Sequence, residues 1–453
     1  SVLIVSTLTS FMEPFLISSV NVALPAIQKE LSLDAIQLSW IATAYLLAVA
    51  VGLVPAGKVA DIHGRKKVFA VGLVIHTVGV AASFFSYSAA TLIGSRVIQG
   101  VGAAMFVTTG MAIITSVFPP QRRGRAIGVY VAAVYIGLSV GPSAGGVLTQ
   151  QLGWRSIFLL AIVMGIVSLF VTLWFLRGKE WCDELEQRLD YGGCLLYGIS
   201  IFLFVYGASR LPGLMGALLS GLGLVLLVVF ASYQRTAQYP VFEVELFIEN
   251  RGFAFSSLAA LLNYSATFAV TFLVSLYLQY IKGLSPQEAG ILLMSQPVVM
   301  AVFSPVAGRL SDRIEPRYLA TGGMTLTVLG VLLLCGLDRN TSSSAIVANL
   351  ILLGFGFALF SSPNMSAIMG SVEKRQYGLA SGAVSTMRLL GQMFSMAVAM
   401  VVLTLLVGKQ AIVPAIHDQF LQAIRIVFSI SALLCTVGVY FSWFRGKKAA
   451  EEY

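Results

Sequence analysis

The sequence predicts an all-α membrane protein of fourteen transmembrane helices in a 6+2+6 order, and three observations carry that reading. The first is the scarcity of charge. Of 453 residues, 57% are hydrophobic and 11% are charged, and the mean hydropathy is +0.87. Soluble domains carry roughly 25% charged residues, and a soluble chain of this size could not cover its surface with so few. A cytosolic enzyme, a secreted disulfide scaffold and a disordered chain are thereby excluded. The second observation is the length and spacing of the apolar runs, and the third is an internal repeat.

A spanning helix needs about 20 mostly apolar residues. On that ruler the spans fall near 3–26, 37–58, 68–88, 90–116, 124–148, 155–176, 190–209, 213–233, 252–280, 289–308, 318–337, 344–368, 377–407 and 421–444. Basic residues mark most of the breaks between them. Lys29 follows span 1, Arg65, Lys66 and Lys67 follow span 2, and Arg122, Arg123 and Arg125 follow span 4. Arg155 separates spans 5 and 6, and the charged stretch 177–190 (RGKEWCDELEQRLD) follows span 6. Arg210 separates spans 7 and 8, and Arg235 and Arg251 lead into span 9. Lys282, then Arg309, Arg313 and Arg317, then Arg339, Lys374, Arg375 and Lys409 mark the remaining breaks.

Counted together with Arg445, Lys447 and Lys448 in the tail, the loops after even-numbered spans hold 19 of these residues and the opposite loops 6. Cytoplasmic loops are the ones enriched in Lys and Arg, so both termini are expected in the cytoplasm. The net charge of +9 is spread over these short loops rather than gathered into a patch, which speaks for membrane orientation and against nucleic acid. Cys182, Cys194, Cys335 and Cys435 show no CxxC spacing, so neither a disulfide framework nor a metal site is expected. The chain starts at Ser1 rather than Met, which reads as a trimmed terminus. Its first apolar run is too long and wrongly flanked for a cleaved signal peptide.

The repeat joins the halves. Gly100-Val-Gly102-Ala-Ala104-Met-Phe106 matches Gly354-Phe-Gly356-Phe-Ala358-Leu-Phe360 at an offset of 254, and the same offset pairs Gly124 with Gly378, Gly128 with Gly382 and Gly137 with Gly391. Ala56-Gly57-Lys58-x-x-Asp61 matches Ala307-Gly308-Arg309-x-x-Asp312 at an offset of 251. Spans 1–6 thus map onto spans 9–14 as two parallel halves. The expected organisation is a first half over 1–176, a linker with two extra helices over 177–251, a second half over 252–444 and a cytoplasmic tail over 445–453. Parallel six-helix halves that rock about a midplane site are the design of many secondary transporters.

Over essentially the whole chain the residues resemble the major facilitator superfamily, and within it the fourteen-spanner drug:proton antiporters. Gly57-Lys-Val-Ala-Asp61-Ile-His-Gly64-Arg65-Lys-Lys is similar to the superfamily's signature loop between spans 2 and 3. Arg96-Val-Ile-Gln99-Gly100-Val-Gly102 is similar to its span 4 arginine motif, and Gly137-Leu-Ser-Val-Gly141-Pro142-Ser-Ala-Gly145-Gly146 to its span 5 antiporter motif. Asn21-Val-Ala-Leu-Pro25, Trp40-Ile-Ala-Thr-Ala-Tyr45 and Gly153-Trp154-Arg155 also resemble that group. The resemblance implies the major facilitator fold, with two pseudo-repeated six-helix halves, and a proton-driven exporter. One departure stands out: the family places an Asp in the middle of span 1, where this chain has Glu13-Pro14-Phe15.

Ionisable groups at bilayer depth are costly and default to functional hypotheses. Glu13 is the one acid deep in a span. Burial raises a carboxyl pKa and a nearby Arg lowers it, so a Glu that alternates between such environments would take up and release a proton. Its expected partner is Arg96, with Gln99 one turn further on the same face. Arg388, the second in-span cation, either binds an anionic substrate group, is solvated in the cavity, or pairs with Glu13 across the interface. Gly57, Asp61, Arg65 and Lys66, with Asp312 and Arg313 in the weaker second copy, are expected as a cytoplasmic gate. Gly137, Gly141, Pro142, Gly145 and Gly146 have a mechanical role, since a proline interrupts the ladder and small residues permit close approach. Candidate cavity residues are Tyr45, Gln99, Asn263, Thr267, Gln279, Gln296, Asn364, Arg388 and Gln392, while His76 is expected to be structural.

No GxxxxGK[ST] loop is present, and no HExxH, GxSxG or Cys/His pattern suggests catalysis. No cofactor and no enzymatic activity are expected, and energy must come from an ion or substrate gradient. The leading expectation is a proton-coupled, monomeric exporter of hydrophobic or amphipathic small molecules in the cell membrane. A dedicated exporter of one metabolite or lipid-like anion and a non-transporting sensor or partner protein remain open.

Overall fold

The computed structural model describes residues 2–118, 120–177, 189–211, 213–242, 244–311, 313–372, 377–408, 410 and 412–446. Among them 14 helical stretches are long and apolar enough to cross a membrane. The first half comprises α1 (Val2–Leu31), α2 (Ala35–His63), α3 (Arg65–Phe84), α4 (Ala89–Val117), α5 (Pro120–Leu152) and α6 (Arg155–Phe175). The extra pair is α7 (Tyr191–Ala208) and α8 (Leu214–Gln234), followed by a short α9 (Val244–Glu249) inside the segment read above as linker. The second half comprises α10 (Arg251–Leu276), which ends in a π-helical turn over Tyr277–Ile281, then α11 (Pro286–Leu293) and α12 (Ser295–Leu310). It closes with α13 (Pro316–Cys335), α14 (Ser343–Gly370), α15 (Tyr377–Leu406) and α16 (His417–Phe444).

The chain's own side chains set many of these ends. Asp34 accepts from the Gln37 amide at 2.7 Å while Gln37 accepts from the Asp34 amide at 3.1 Å, a capping box at the start of α2. Ser88 with Thr91 caps α4, and Ser285 with Glu288 caps α11 behind Pro286. The tenth span is one apolar run in the sequence but two helices in the structure. Pro297 has no N–H to give to the Leu293 carbonyl, and the helix breaks at Met294. Pro25 likewise frees the Asn21 carbonyl, which accepts the Ser275 hydroxyl of the other half at 3.0 Å. Such repair by a neighbouring helix is what makes proline tolerable in a spanning segment.

Within each half the packing repeats. In the first half α1 lies on α5, α2 on α4, and α3 on α4 and α6. In the second half α10 lies on α15, α12 on α14, and α13 on α14 and α16. The correspondence reaches single residues. Gly100 meets the backbone of Tyr45 and the side chain of Ala48, and Gly354 meets the backbone of Gln296 and the side chain of Val299. Gly57 meets Thr108 as Gly308 meets Ser362. A Cβ on Gly137 would lie 2.5 Å from the Phe11 carbonyl oxygen, and one on Gly391 would lie 2.5 Å from that of Leu261. The counterpart of Tyr45 is therefore Gln296. Two residues beyond Phe11 and Leu261, Glu13 stands opposite Asn263.

Recorded hydrogen bonds between the halves gather towards the end that holds the last turns of α1 and α10 and the first turns of α2 and α11. Gln279 Nε2 donates to the Val22 carbonyl at 2.9 Å, the Ala35 amide to the Gln410 carbonyl at 3.0 Å, and the Tyr280 hydroxyl to Gln28. Nearer mid-depth, Tyr135 and Ser361 are 3.3 Å apart. The α7–α8 hairpin lies along the seam between α2 and α15. The Tyr197 hydroxyl donates to the Ala50 carbonyl at 3.0 Å, and Phe204 meets Phe394 with ring centroids 5.0 Å apart. Asp190 fastens the hairpin by capping α7 at the Gly193 amide and accepting from Tyr233 and Gln234 of α8.

Candidate functional site

A connected polar unit is buried in the first half. Arg96 is 1% exposed, and its guanidinium carbon stands 4.4 Å from the centroid of the Tyr45 ring. Its Nη1 donates to Gln99 Oε1 at 2.6 Å and its Nε to the Ile41 carbonyl at 3.2 Å. Arg cannot shed its proton in a protein, so these acceptors and the ring face compensate it. The far end of Tyr45 reaches Glu13: its hydroxyl donates to Oε1 at 3.4 Å. Tyr45 therefore stands between the acid and the arginine that the sequence pairs directly. His76 donates through Nδ1 to the Gln99 carbonyl at 3.3 Å and packs edge-on against Phe106, a structural setting.

Arg388 enters from the second half. It lies close enough to Glu13, Tyr130 and Tyr264 for its charge to act on them. Its Nε is buried without a hydrogen bond.

One turn along α1 from Glu13 and one turn along α15 from Arg388, a cavity of about 120 Å³ separates the halves. Its lining includes Ser18, Asn21, Pro142, Tyr264, Thr267, Phe268, Gln296, Phe357 and Gln392. Of the sequence's cavity candidates, Gln296, Gln392 and Thr267 line this space, and so does Asn21, which the sequence reading does not single out. The other candidates are engaged elsewhere. Gln99 is bound to Arg96. Gln279 spans the interface to Val22. The Asn364 amide donates to the Ser256 carbonyl at 3.0 Å and its oxygen accepts from Arg445 at 2.9 Å. Tyr45 belongs to the Glu13–Arg96 unit, and Asn263 is wholly buried with neither amide atom hydrogen-bonded.

At the other end of the first half, Arg65 grips Asp61 through Nη2 at 2.8 Å and Nε at 3.0 Å, and its Nη1 reaches Ser116. This links α2, α3 and α4, and Gly57 lets Thr108 of α4 approach one turn away. Lys66 is partly buried beside them. In the second copy Asp312 lies outside the described residues and Arg313 is exposed. The tight cation there is Arg445, which the sequence places at the start of a tail. It is 5% exposed and donates to Asn364 at 2.9 Å and to the Pro316 carbonyl at 2.7 Å. The nearest signal in the sequence is its position directly after an apolar span.

The glycine motif works by contact. Gly137, Gly141 and Gly145 face α1 at Phe11, Ser18 and Ser19, and the Ser19 hydroxyl donates to the Gly141 carbonyl at 2.9 Å. Gly146 faces Pro286 of the other half, and the Pro142 carbonyl abuts Gly290. The motif therefore packs α5 against both its own half and the opposite one. Among the described residues no group of three or more His, Cys, Asp or Glu side chains could hold a metal ion. Cys194, Cys335 and Cys435 are free, and Cys182 lies outside the described residues.

The sequence pattern of the Major Facilitator Superfamily matches residues 6–233 and 256–452. The chain belongs to that superfamily. Superfamily members similar to it include the riboflavin transporter RibZ of Clostridioides difficile, 31% identical over 390 residues, covering 85% of this chain and 84% of that protein. The multidrug resistance protein Stp of Mycobacterium tuberculosis is 31% identical over 385 residues, covering 84% and 71%. The tetracenomycin C resistance and export protein of Streptomyces glaucescens is 29% identical over 394 residues, covering 86% and 73%. Among solved structures, a bacterial homologue of the human lysosomal transporter Spinster, inward-facing and unoccupied, matches with a TM-score of 0.67 at 18% identity, covering 98% and 96%. This likeness supports the major facilitator fold. The chain is a multi-pass membrane protein of a transporter superfamily.

Proposed function

We propose that this protein is a proton-coupled exporter of hydrophobic or amphipathic small molecules, working by alternating access. The observation that carries the proposal is the meeting of Glu13 with Tyr45 and Arg96 of its own half and Arg388 of the other. A carboxyl whose cationic neighbours belong to two moving bodies changes its surroundings whenever those bodies rock. A change in surroundings changes proton affinity, and that is the minimal requirement for coupling. Glu13 carries the proton, Arg96 reads its charge through Tyr45, and the Asp61–Arg65 pair stiffens one end of the first half as a gate. The excess of Lys and Arg in loops after even-numbered spans puts both termini in the cytoplasm of a cell whose plasma or inner membrane holds the protein. On that orientation the hydrogen-bonded end is external, and substrate is admitted from the cytoplasm. The name of the tetracenomycin relative includes export, and that of Stp includes multidrug resistance. No cofactor is needed and one chain suffices.

The test is uptake of a fluorescent lipophilic compound into proteoliposomes under an imposed pH gradient. Gradient-driven uptake by the wild type that disappears in Glu13→Gln, with binding retained, supports the proposal. Full activity in Glu13→Gln overturns the assignment of the proton. A second reading, an exporter dedicated to one metabolite, draws on the carboxamides of the cavity and on the riboflavin transporter among the relatives. It is favoured if a single compound class is transported and lipophilic cations are refused.

A further inference from the structure

The cavity between the halves is polar without being charged. Asn21 is 5% exposed and Gln296 8%, and both present carboxamides to it, as does Gln392. None of these three side chains has a hydrogen-bond partner among the described residues. A carboxamide offers two donors and two acceptor lone pairs, and none of these three is among the fully buried unpaired groups, so their polar atoms are open to a ligand in the cavity. Three of them converging on one space, beside the rings of Phe268 and Phe357, form a recognition surface that lacks its other half. No carboxylate, lysine or arginine lines this space.

The charges begin one turn away. Glu13 and Arg388 stand at the next turn of α1 and α15, and they answer each other. When Glu13 takes up a proton, Arg388 is left uncompensated beside the cavity, with Arg96 behind it. A cation held there meets repulsion in that state. An anion meets attraction in that state but a carboxylate in the other. An uncharged molecule is indifferent to the change, and its polar edge is what the carboxamides can pair with. The volume of about 120 Å³ is less than that of a cavity of about 150 Å³, which holds benzene, so it admits the edge of one ring and not a larger group. From these observations we infer that the cavity selects uncharged, flat compounds carrying an amide or imide edge on a ring, with the rest of the molecule trailing past Glu13 and Arg388. The inference deepens the exporter proposal and rests on it for the direction of transport, not for binding.

Binding and transport therefore test it separately. The probe is 4-amino-1,8-naphthalimide, an uncharged fluorescent imide, titrated against purified protein in nanodiscs beside ethidium, a cation whose core is likewise three fused rings. The imide is expected to bind more tightly than ethidium. Gln296→Leu and Gln392→Leu should each weaken the imide about tenfold, the effect of one lost buried hydrogen bond, and leave ethidium unchanged. Gln296→Asn, which keeps the amide but withdraws it by one methylene, should fall between, and thermal melting of each variant guards against misfolding. Tighter binding of ethidium, or imide binding unaffected by both leucine variants in folded protein, overturns the inference. Imide binding that depends on Gln296 without gradient-driven uptake in liposomes upholds the inference and sinks the exporter proposal. Gradient-driven transport of ethidium with no affinity for the imide does the reverse.

Discussion

Glu13, Tyr45 and Arg96 occupy positions in the first half at which the second half carries Asn263, Gln296 and Leu350. Gly100 and Gly354 anchor the comparison: Arg96 lies four residues before the first and Leu350 four before the second, and each glycine presses on the residue being compared, Tyr45 or Gln296. The two halves share a scaffold and differ in what they do with charge. The first holds a group that can ionise, an aromatic ring hydrogen-bonded to it and a permanent cation over that ring. The second holds two neutral amides and a leucine, and sends one arginine, Arg388, towards Glu13. Its own counterpart in the first half is Val134, three residues before Gly137 as Arg388 is three before Gly391. A shared scaffold carries ionisable groups in one half at positions where the other half carries amides and a leucine.

The widest separation between the halves is expected at Glu13 and Asn263. Glu13→Gln should reduce gradient-driven uptake in proteoliposomes to the level of empty vesicles. Asn263→Leu should leave uptake intact and raise the melting temperature, because it removes a buried amide with no partner, a defect costing about 1–3 kcal/mol. Loss of transport in Asn263→Leu would erase the division. Next come Arg96 and Leu350. Arg96→Leu strands Gln99 and the Ile41 carbonyl and should destabilise the fold by about 1–3 kcal/mol. Leu350→Met conserves volume and should cost less than about 1.5 kcal/mol, and melting in detergent compares the two.

Glycines give a smaller contrast. Gly141→Ala drives a Cβ into Ser18 and the Phe15 carbonyl, for which about 1–3 kcal/mol is expected. Gly382 has nothing within 4 Å of an added Cβ, so Gly382→Ala should stabilise α15 by up to about 1 kcal/mol. The smallest effect belongs to the loop before α14. Asp338 accepts hydrogen bonds from Thr341 and from the amides of Asn340 and Thr341, which hold its carboxyl below the usual range. A depressed carboxyl stabilises the fold above its unfolded pKa, near ~3.9, and that contribution is lost as the pH falls through the folded value. Asp338→Asn should therefore lower the melting temperature slightly at pH 7 and not at all at the acid end of a pH series.

Features set by local chemistry were legible in the sequence. Span number follows from apolar length, and the Asp61–Arg65 pair joins neighbouring turns. The register of the halves follows from glycines that have no alternative where helices touch. The break at Met294 was hidden because a run of apolar residues reads the same whether or not Pro297 interrupts it. Partnerships across helices were less legible. Tyr45 as the link between Glu13 and Arg96, and Arg445 bound to Asn364, depend on which faces meet. In helices that are apolar nearly all round, such as α2, α4 and α14, periodicity does not single out a face. Asn364 and Gln99, expected from the sequence in the cavity, each hold an arginine instead.

The α7–α8 hairpin carries a consequence of arithmetic. It sits between two halves that run in the same direction, so the number of helices inserted there must be even. Removing both would return the chain to the second half with its direction unchanged, whereas removing one would turn that half upside down relative to the first. Gly391 would then no longer run alongside α10 in the sense that Gly137 runs alongside α1. The hairpin is thus a unit of inheritance as well as of packing: it can be gained or lost whole, and neither of its helices can be gained or lost alone.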